Sequence, residues 1–350
     1  MDYSKYTISK ESTIKDALVQ LDELSDDALT LFVLDGKQMV GTLTDGDIRR
    51  ALIRNILIDE SVEQVMNRFF RYICPKENNI QKIREIKSSG VQLLPCLDEN
   101  REILTIHNLR VKKSILPIDA VLMAGGKGER LRPLTEKTPK PLLRVGEKSI
   151  IDYNVDNLIS YGVENIHVTT NYLAEQLEQH FAEERKGVRI NCVREKEYFG
   201  TIASVKLIHY IKSNEVLVMN SDLFTNINFE DFYRHFLENN ADMSVAAVPY
   251  SVNVPYGIFE LEGRNIQGIK EKPTYNYYAN AGIYLIKKCL LDLIPDGTYF
   301  NATDFIDLIV LQGKSVVRYP LVGYWIDIGK PEDYHKAQDF VRHIRENDGQ

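Results

Sequence analysis

The chain has 350 residues, 44% hydrophobic and 27% charged, which is too many for one small core and ordinary for a globular protein. Its 43 basic and 50 acidic side chains leave a net charge of −7, which argues against a general nucleic-acid binder and requires a local positive pocket for any anionic ligand. No run of about 18 apolar residues is present, and MDYSKYTISKEST lacks a basic stretch ahead of an apolar core, so a cytoplasmic chain without a membrane partner is expected.

The first 115 residues carry a weak internal repeat. In the first copy Ile14, Ala17, Leu18, Leu21 and Leu24 recur at helical spacing. The strand LTLFVLD, a turn at Gly36, the strand MVGTLT and a short helix, DIRRALIR, follow. In the second copy Ile80, Ile83 and Ile86 mark the helix, QLLPCLD and EILTI the strands, and HNLRVKK the start of a final helix. The copies align at Thr44 and Thr105. One such unit leaves a face of its small sheet uncovered, and two packed together bury it, so a small α+β pair is expected over 1–115.

LRVKKSILPID reads as a linker, with Pro117 stopping what precedes it. From there the pattern changes. IDAVLMA, NIHVTT, VRINCV and EVLVMN are short apolar strands, and helical stretches such as IIDYNVDNLISYG and YLAEQLEQHFAEE lie between them. Strands alternating with helices predict an α/β domain over 117–350 with a doubly wound, mostly parallel sheet. Cys74, Cys96, Cys192 and Cys289 are widely spaced without a CxxC pair, so reduced, mostly buried thiols are expected and a zinc site is not.

The first strand of this domain runs into Met123-Ala124-Gly125-Gly126-Lys127-Gly128-Glu129-Arg130-Leu131-Arg132-Pro133. Glycines after a strand let the backbone approach phosphate and point N–H groups at it. Arg130 and Arg132 add fixed positive charge suited to bidentate phosphate contact. In Thr138-Pro139-Lys140-Pro141 the flanking prolines stiffen the backbone around the Lys140 ammonium. A Walker A loop fails because Glu129 follows Gly128, and a dinucleotide fingerprint fails because Leu131 stands where glycine is needed. Further on, Asp222 follows the C-terminal end of the apolar run Val216–Met219, where open α/β sheets bind ligands. Asp327 lies in GYWIDIG, ahead of a helix, and Trp325 is expected in the core.

GGxGxRLxP followed by PKP resembles the pyrophosphorylase signature of the sugar-1-phosphate nucleotidyltransferases, and the resemblance covers roughly 117–345. It implies a Rossmann-like, GT-A-like domain and several roles. Met123, Ala124, Gly125, Gly126, Gly128, Gly200 and Thr201 would line the nucleotide, Arg130 would hold the β- and γ-phosphates, and Lys140 would sit by the α-phosphate. Asp222 and Asp327 would hold Mg2+, a hard cation that takes one or two carboxylates plus phosphate oxygens and waters. Lys272, in Glu271-Lys272-Pro273, would bind the phosphate of the incoming sugar, with Tyr256, Gly257, Glu271 and Asn280 near the sugar. Where many thymidylyl- and uridylyltransferases of the family carry glutamine, this chain has Glu195. A carboxylate accepts from guanine N1–H and N2–H2 together, and a pyrimidine's single N3–H meets it less well, which favours GTP.

The first 115 residues are similar to a tandem CBS pair, a Bateman module. In that family Thr or Ser followed three residues later by Asp contacts the phosphate and ribose of a bound adenine or guanine nucleotide. Thr44 and Asp47 match; the second copy has Thr105 and Asn108, and a neutral amide holds a ribose diol less strongly than a carboxylate does. One working effector site is therefore favoured over two, with a helix N-cap as the structural alternative. The layout resembles glucosamine-1-phosphate guanylyltransferases of legionaminic acid pathways. Mannose-1-phosphate guanylyltransferases are the runner-up, and uridylyl or thymidylyl transfer remains open. A homo-oligomer is expected by resemblance. A catalytically silent regulatory subunit is the alternative of another class, and the presence of Arg130, Lys140 and Asp222 counts against it.

Overall fold

The computed structural model describes residues 3–24, 28–75 and 80–348, the side chains of 344–348 excepted. The chain divides into two compact units, Met1–Leu116 with Ser160–Gly162, and Pro117–Ile159 with Val163–Gln350. Among the described residues no helix is long and apolar enough to cross a membrane.

In the first unit the repeat is visible in the strand pairing. Thr7–Ser9 runs parallel to Thr30–Asp35, which pairs antiparallel with Gln38–Thr44. The second copy repeats this in reduced form: Leu93–Leu97 pairs antiparallel with Ile103–Asn108, and Ile73 forms a parallel bridge to Cys96. The helices Ile14–Glu23 and Ile80–Ser88 begin at the predicted apolar positions and bury Ile14, Ala17 and Leu21, and Ile80, Ile83 and Ile86. Two expectations fail here. HNLRVKK forms no helix, because the Asn108 side chain accepts from the Arg110 N–H at 3.0 Å and closes a turn instead. Thr105 is not equivalent to Thr44. It lies inside its strand opposite Cys96 and accepts from the Tyr3 hydroxyl at 3.0 Å, whereas Thr44 ends its strand and caps a helix.

The second unit is built on a seven-stranded sheet. Its order is Ile190–Arg194, Ile166–Thr170, Ile118–Ala124, Glu215–Asn220, Thr274–Lys287, Met243–Asn253 and Val316–Pro320. Thr274–Lys287 runs against both of its neighbours; every other pairing is parallel. The central strands are buried on both faces, which explains why they read as continuous apolar runs. Val121, Val216 and Val218 pack with Phe305 and Ile309 of the helix Ala302–Leu311 on one face. The alternate residues Ala120, Leu122, Leu217 and Met219 are buried on the other. From Ile118–Ala124 the chain goes to Ile166–Thr170 on one side and later to Glu215–Asn220 on the other. The strand order therefore reverses between these neighbours, and a crevice opens above their carboxyl ends.

Met243–Asn253 and Thr274–Lys287 outgrow the sheet. A bulge lies between Val245 and Ala247, and past Ala247, the last residue paired with Val316–Pro320, they continue as a two-stranded arm, with Val252 opposite Tyr275 and Asn253 opposite Thr274. A separate hairpin, Ile258–Glu262 with Asn265–Lys270, stands at the end of the arm. The four cysteines are free thiols. Only Cys96 is buried, Cys74 and Cys192 are half-buried and Cys289 is exposed, which corrects the expectation of mostly buried thiols. Trp325 is half-buried and donates its Nε1–H to the Ala281 carbonyl at 2.9 Å, so it is not a fully buried core residue.

Candidate active site

A cavity of about 590 Å3 occupies the crevice. Its floor is the end of the first strand, Met123 and Ala124, and the loop Gly125–Arg130 forms one wall. Gly128 has φ +62°, and a Cβ there would come within 3.0 Å of Thr135 and 3.2 Å of Lys140. A Cβ on Gly125 would come within 2.5 Å of Glu195 Oε1. Glycine at 125 is therefore what allows Glu195 to sit against the loop. Thr135 closes the loop by donating to the Gly128 carbonyl at 2.8 Å.

Asp222 lines the other wall, and Asp327, distant in sequence and not itself among the lining residues, is brought to the same Lys140 ammonium. Leu223–Thr225 pairs antiparallel with Trp325–Asp327, with Leu223 opposite Asp327, and the Ile328 N–H donates to the Asp222 carbonyl at 3.2 Å. Lys140, placed by the short turn Lys140–Leu142 after Pro139, is 9% exposed and reaches both carboxylates. Its Nζ donates to Asp222 Oδ2 and lies 3.9 Å from Asp327 Oδ1. The other oxygen, Asp222 Oδ1, is buried with no partner among the described residues. Burial, and then the neighbouring Asp222 charge, push the Asp327 carboxyl up, while Lys140 and Arg130 pull it down. Two carboxylates therefore share one ammonium and retain an unsatisfied oxygen. That donor set fits a hard divalent cation. Among the described residues no group of three or more His, Cys, Asp or Glu forms a metal cage, so such a cation would complete its shell with phosphate oxygens and water.

Beside the glycine loop Glu195 is 3% exposed, and its Oε2 has no partner among the described residues. Burial pushes its carboxyl up to about 7, against the opposing pull of the Phe199 backbone and the Ser204 hydroxyl. Gly200 and Thr201 line the cavity as well. Gly200 has φ +99°, and a Cβ there would lie 2.6 Å from the Phe300 carbonyl.

Arg130, Lys140, Glu195, Gly200, Thr201 and Asp222 thus line one cavity with the glycine loop. Thr169, Tyr198, Ser204, Asn220 and Gly329 also line it and were not foreseen. Thr169 and Asn220 stand at the carboxyl ends of strands that the sequence marks clearly, and that position was the available signal. The groups assigned to the sugar do not line this cavity. Tyr256 is 72% exposed, and Glu271, Lys272 and Asn280 are exposed, in or beside the arm. Gly257 keeps close quarters: a Cβ there would lie 3.0 Å from Glu271 Oε2. Lys272 adopts φ +43°, a left-handed backbone in a non-glycine residue just before Pro273. Strain of this kind costs on the order of 1–3 kcal/mol and concentrates at functional positions. Asn280 donates to the Tyr284 hydroxyl at 2.9 Å and accepts from the Gly282 N–H at 2.9 Å.

The model of the nucleotidyl transferase family matches residues 119–344. The chain belongs to that family. Nucleotidyl transferases similar to it include mannose-1-phosphate guanyltransferase beta-B of Xenopus laevis, 30% identical over 224 residues, which are 61% of this chain and 62% of that protein. D-glycero-alpha-D-manno-heptose 1-phosphate guanylyltransferase of Aneurinibacillus thermoaerophilus is 27% identical over 229 residues, 65% of this chain and 99% of that one. The chain therefore spans less than two thirds of the length of the Xenopus relative. The solved structure of HddC from Yersinia pseudotuberculosis complexed with GMP-PN shares the fold at 23% identity, with a TM-score of 0.51 over 64% of this chain and 99% of that one.

In the first unit a cleft of about 820 Å3 is lined by Thr44, Asp47, Arg49, Arg50, Phe69, Arg71 and Arg110, among others. Thr44 and Asp47 form a capping box there: Asp47 Oδ2 accepts from the Thr44 N–H at 2.9 Å and from its hydroxyl at 2.6 Å. Thr13 and Asp16 build the same box at the first helix, so this spacing serves the helix end by itself. Thr105 and Asn108 are not among the residues lining the cleft.

Proposed function

We propose that this nucleotidyl transferase is a sugar-1-phosphate guanylyltransferase, converting GTP and a sugar 1-phosphate to a GDP-sugar and pyrophosphate. The observation that carries this reading is the convergence, in one crevice, of a glycine cradle, Arg130, Lys140, Asp222 and a buried, half-unpartnered carboxylate, Glu195, with Asp327 within 3.9 Å of the same Lys140 ammonium. An oxygen of the sugar phosphate attacks the α-phosphorus in line, and the bond from that phosphorus to the β-phosphate oxygen breaks. The attacking oxygen is anionic at neutral pH and needs no general base. Approach of two anions is the obstacle, so positioning and charge compensation set the rate. Arg130 and the loop N–H groups hold the β- and γ-phosphates, Lys140 sits by the α-phosphate, and Lys272 meets the sugar phosphate. Asp222 and Asp327 hold a divalent cation, assigned as Mg2+, which when bound supplies positive charge to the phosphates.

Glu195 supports guanine as the base, and the names of the two guanylyltransferase relatives agree with it. For the sugar, the fused layout supports glucosamine 1-phosphate. Mannose 1-phosphate is the second reading, favoured by the Xenopus relative's name. Pyrophosphate release from a matrix of GTP, UTP, dTTP and CTP against glucosamine, mannose and heptose 1-phosphates tests all of this. The expected maximum lies at GTP with glucosamine 1-phosphate; preference for UTP refutes the base assignment, and no release with any pair refutes the activity.

The cleft of the first unit is assigned, as a CBS-type site, to a purine nucleotide effector held by Thr44 and Asp47. The arginines supply charge for its phosphates. An adenine or guanine nucleotide is expected to change activity, and Asp47→Ala to abolish both that change and the binding heat. An unaltered response in Asp47→Ala would remove this site from consideration.

A further inference from the structure

Ser221 and Asp222 connect the strands Glu215–Asn220 and Leu223–Thr225. Before Asp222, the buried Ser221 is tied to the strand that feeds the glycine loop: its N–H and its hydroxyl both donate to the Met123 carbonyl, at 3.2 and 2.7 Å. Around Asp222 a second tie comes from the helix Ile150–Ser160, where Asn154 is 2% exposed. Its Nδ2 donates to the Leu223 carbonyl at 2.8 Å and to the Ser221 carbonyl at 3.4 Å, with a longer contact of 3.5 Å to Ile150 in its own helix. One buried NH2 group thus spans the residue between those carbonyls, which is Asp222. Leu223 is also the residue opposite Asp327 in the short strand pair.

Strands of three residues hold little by themselves, since an isolated two-stranded pair is marginally stable in water. Phe224, packed on Tyr153 and on Tyr324 with ring centroids 5.1 Å apart in each case, keeps the pair in place. A hydrogen bond to a carbonyl adds direction. The helix that supplies it is a firm support: on its opposite face Asp152 and Asp156, one turn apart, accept from Arg185 at 2.8 and 2.9 Å.

We infer that Asn154 is a positioning residue for the reaction, acting through the Ser221 and Leu223 backbone to set Asp222 and Asp327 for a shared divalent cation. This rests on the assignment of those aspartates to the cation. Outer-shell partners of metal ligands contribute about 10–100-fold in affinity or activity. Asn154 acts through the backbone and not on a carboxylate, which places it at the lower end of that range.

Mn2+ shares the preference of Mg2+ for oxygen ligands and reads the site without turnover, by electron spin resonance titration of the chain in the absence of nucleotide. Asn154→Leu, similar in volume and without a donor, is expected to weaken Mn2+ binding about tenfold, the lower end of that outer-shell range, with an unchanged circular dichroism spectrum. The cation concentration for half-maximal pyrophosphate release should rise by a similar factor. Asn154→Ala, which removes the donor without adding apolar bulk, decides the matter if Asn154→Leu fails to fold. Asn157→Leu removes a 3.4 Å bond from the same helix to the Ile227 carbonyl and is expected to lower Tm while leaving Mn2+ binding unchanged. Unmodified Mn2+ affinity in the folded Asn154 variant, with Asp222→Asn weakened, overturns the inference alone. Equal weakening in Asn157→Leu overturns it too, because loss of any bond from this helix would then suffice. Absent binding in the unmodified chain, or unchanged binding in Asp222→Asn, overturns the cation assignment and the inference with it.

Discussion

Asp222→Asn is expected to lower kcat for pyrophosphate release by at least about 100-fold, the usual scale for removing one preorganised electrostatic contact. The substitution keeps the shape of the side chain and removes its charge. Among the described residues Lys140 then keeps Asp327, at 3.9 Å, as its acidic partner, and the buried Oδ1 that now lacks a partner is no longer an anionic ligand. The loss should be accompanied by a higher requirement for divalent cation, which separates it from misfolding. Lys140→Ala should cost as much for the opposite reason, since it leaves two neighbouring carboxylates without their shared ammonium. Near-normal turnover in either variant, at an unchanged cation requirement, would refute the roles assigned to this cluster.

Glu195→Gln is expected to reduce the preference for GTP over UTP by about 10–100-fold, the worth of a good bidentate base contact at about 1–3 kcal/mol. A second signature comes from the carboxyl itself, which burial raises to about 7. Below that pH the folded group is protonated and cannot accept from two guanine N–H groups at once. KM for GTP should therefore fall as pH rises through about 7, and in Glu195→Gln that dependence should vanish, with the titration of the triphosphate common to both proteins. The effect on stability has a definite sign. Between the ordinary carboxyl range and about 7 the folded chain holds a proton that the unfolded chain releases, so this group's contribution to stability falls as pH rises through that window. A pH profile of KM that is identical in the two proteins would exclude Glu195 from base recognition.

Much of this was legible in the sequence because the signals were local. Ile118–Ala124 and Glu215–Asn220 are short, largely apolar runs followed by glycine or Ser-Asp, which fixes both the strand and its functional end. The first helix of each half-repeat likewise follows from apolar residues at helical spacing. What escaped was long-range. No local pattern announces that Arg185 binds Asp152 at 2.8 Å and Asp156 at 2.9 Å, or that His180 joins Asp152 at 2.8 Å, because the partners come from separate elements. The misplacement of Thr105 had a different cause. The repeat was aligned on residue type, and the second copy closes its strand with an Asn turn where the first begins a helix. Tyr198 and Ser204 were missed because the fold of the segment after Glu195 depends on contacts such as the Phe300 N–H to Phe199 carbonyl bond, a hundred residues apart in sequence.

The arm has an evolutionary corollary. The groups assigned to the donor nucleotide belong to the crevice above the parallel strands, whereas Tyr256, Gly257, Glu271 and Lys272 belong to a ribbon that has left the sheet. On the proposed assignment, exchange of the segment between Asn253 and Thr274, with Asn280 kept, is expected to retune the choice of acceptor while the machinery for the donor stays intact. A lineage could thus diversify its sugars by grafting, without rebuilding its engine.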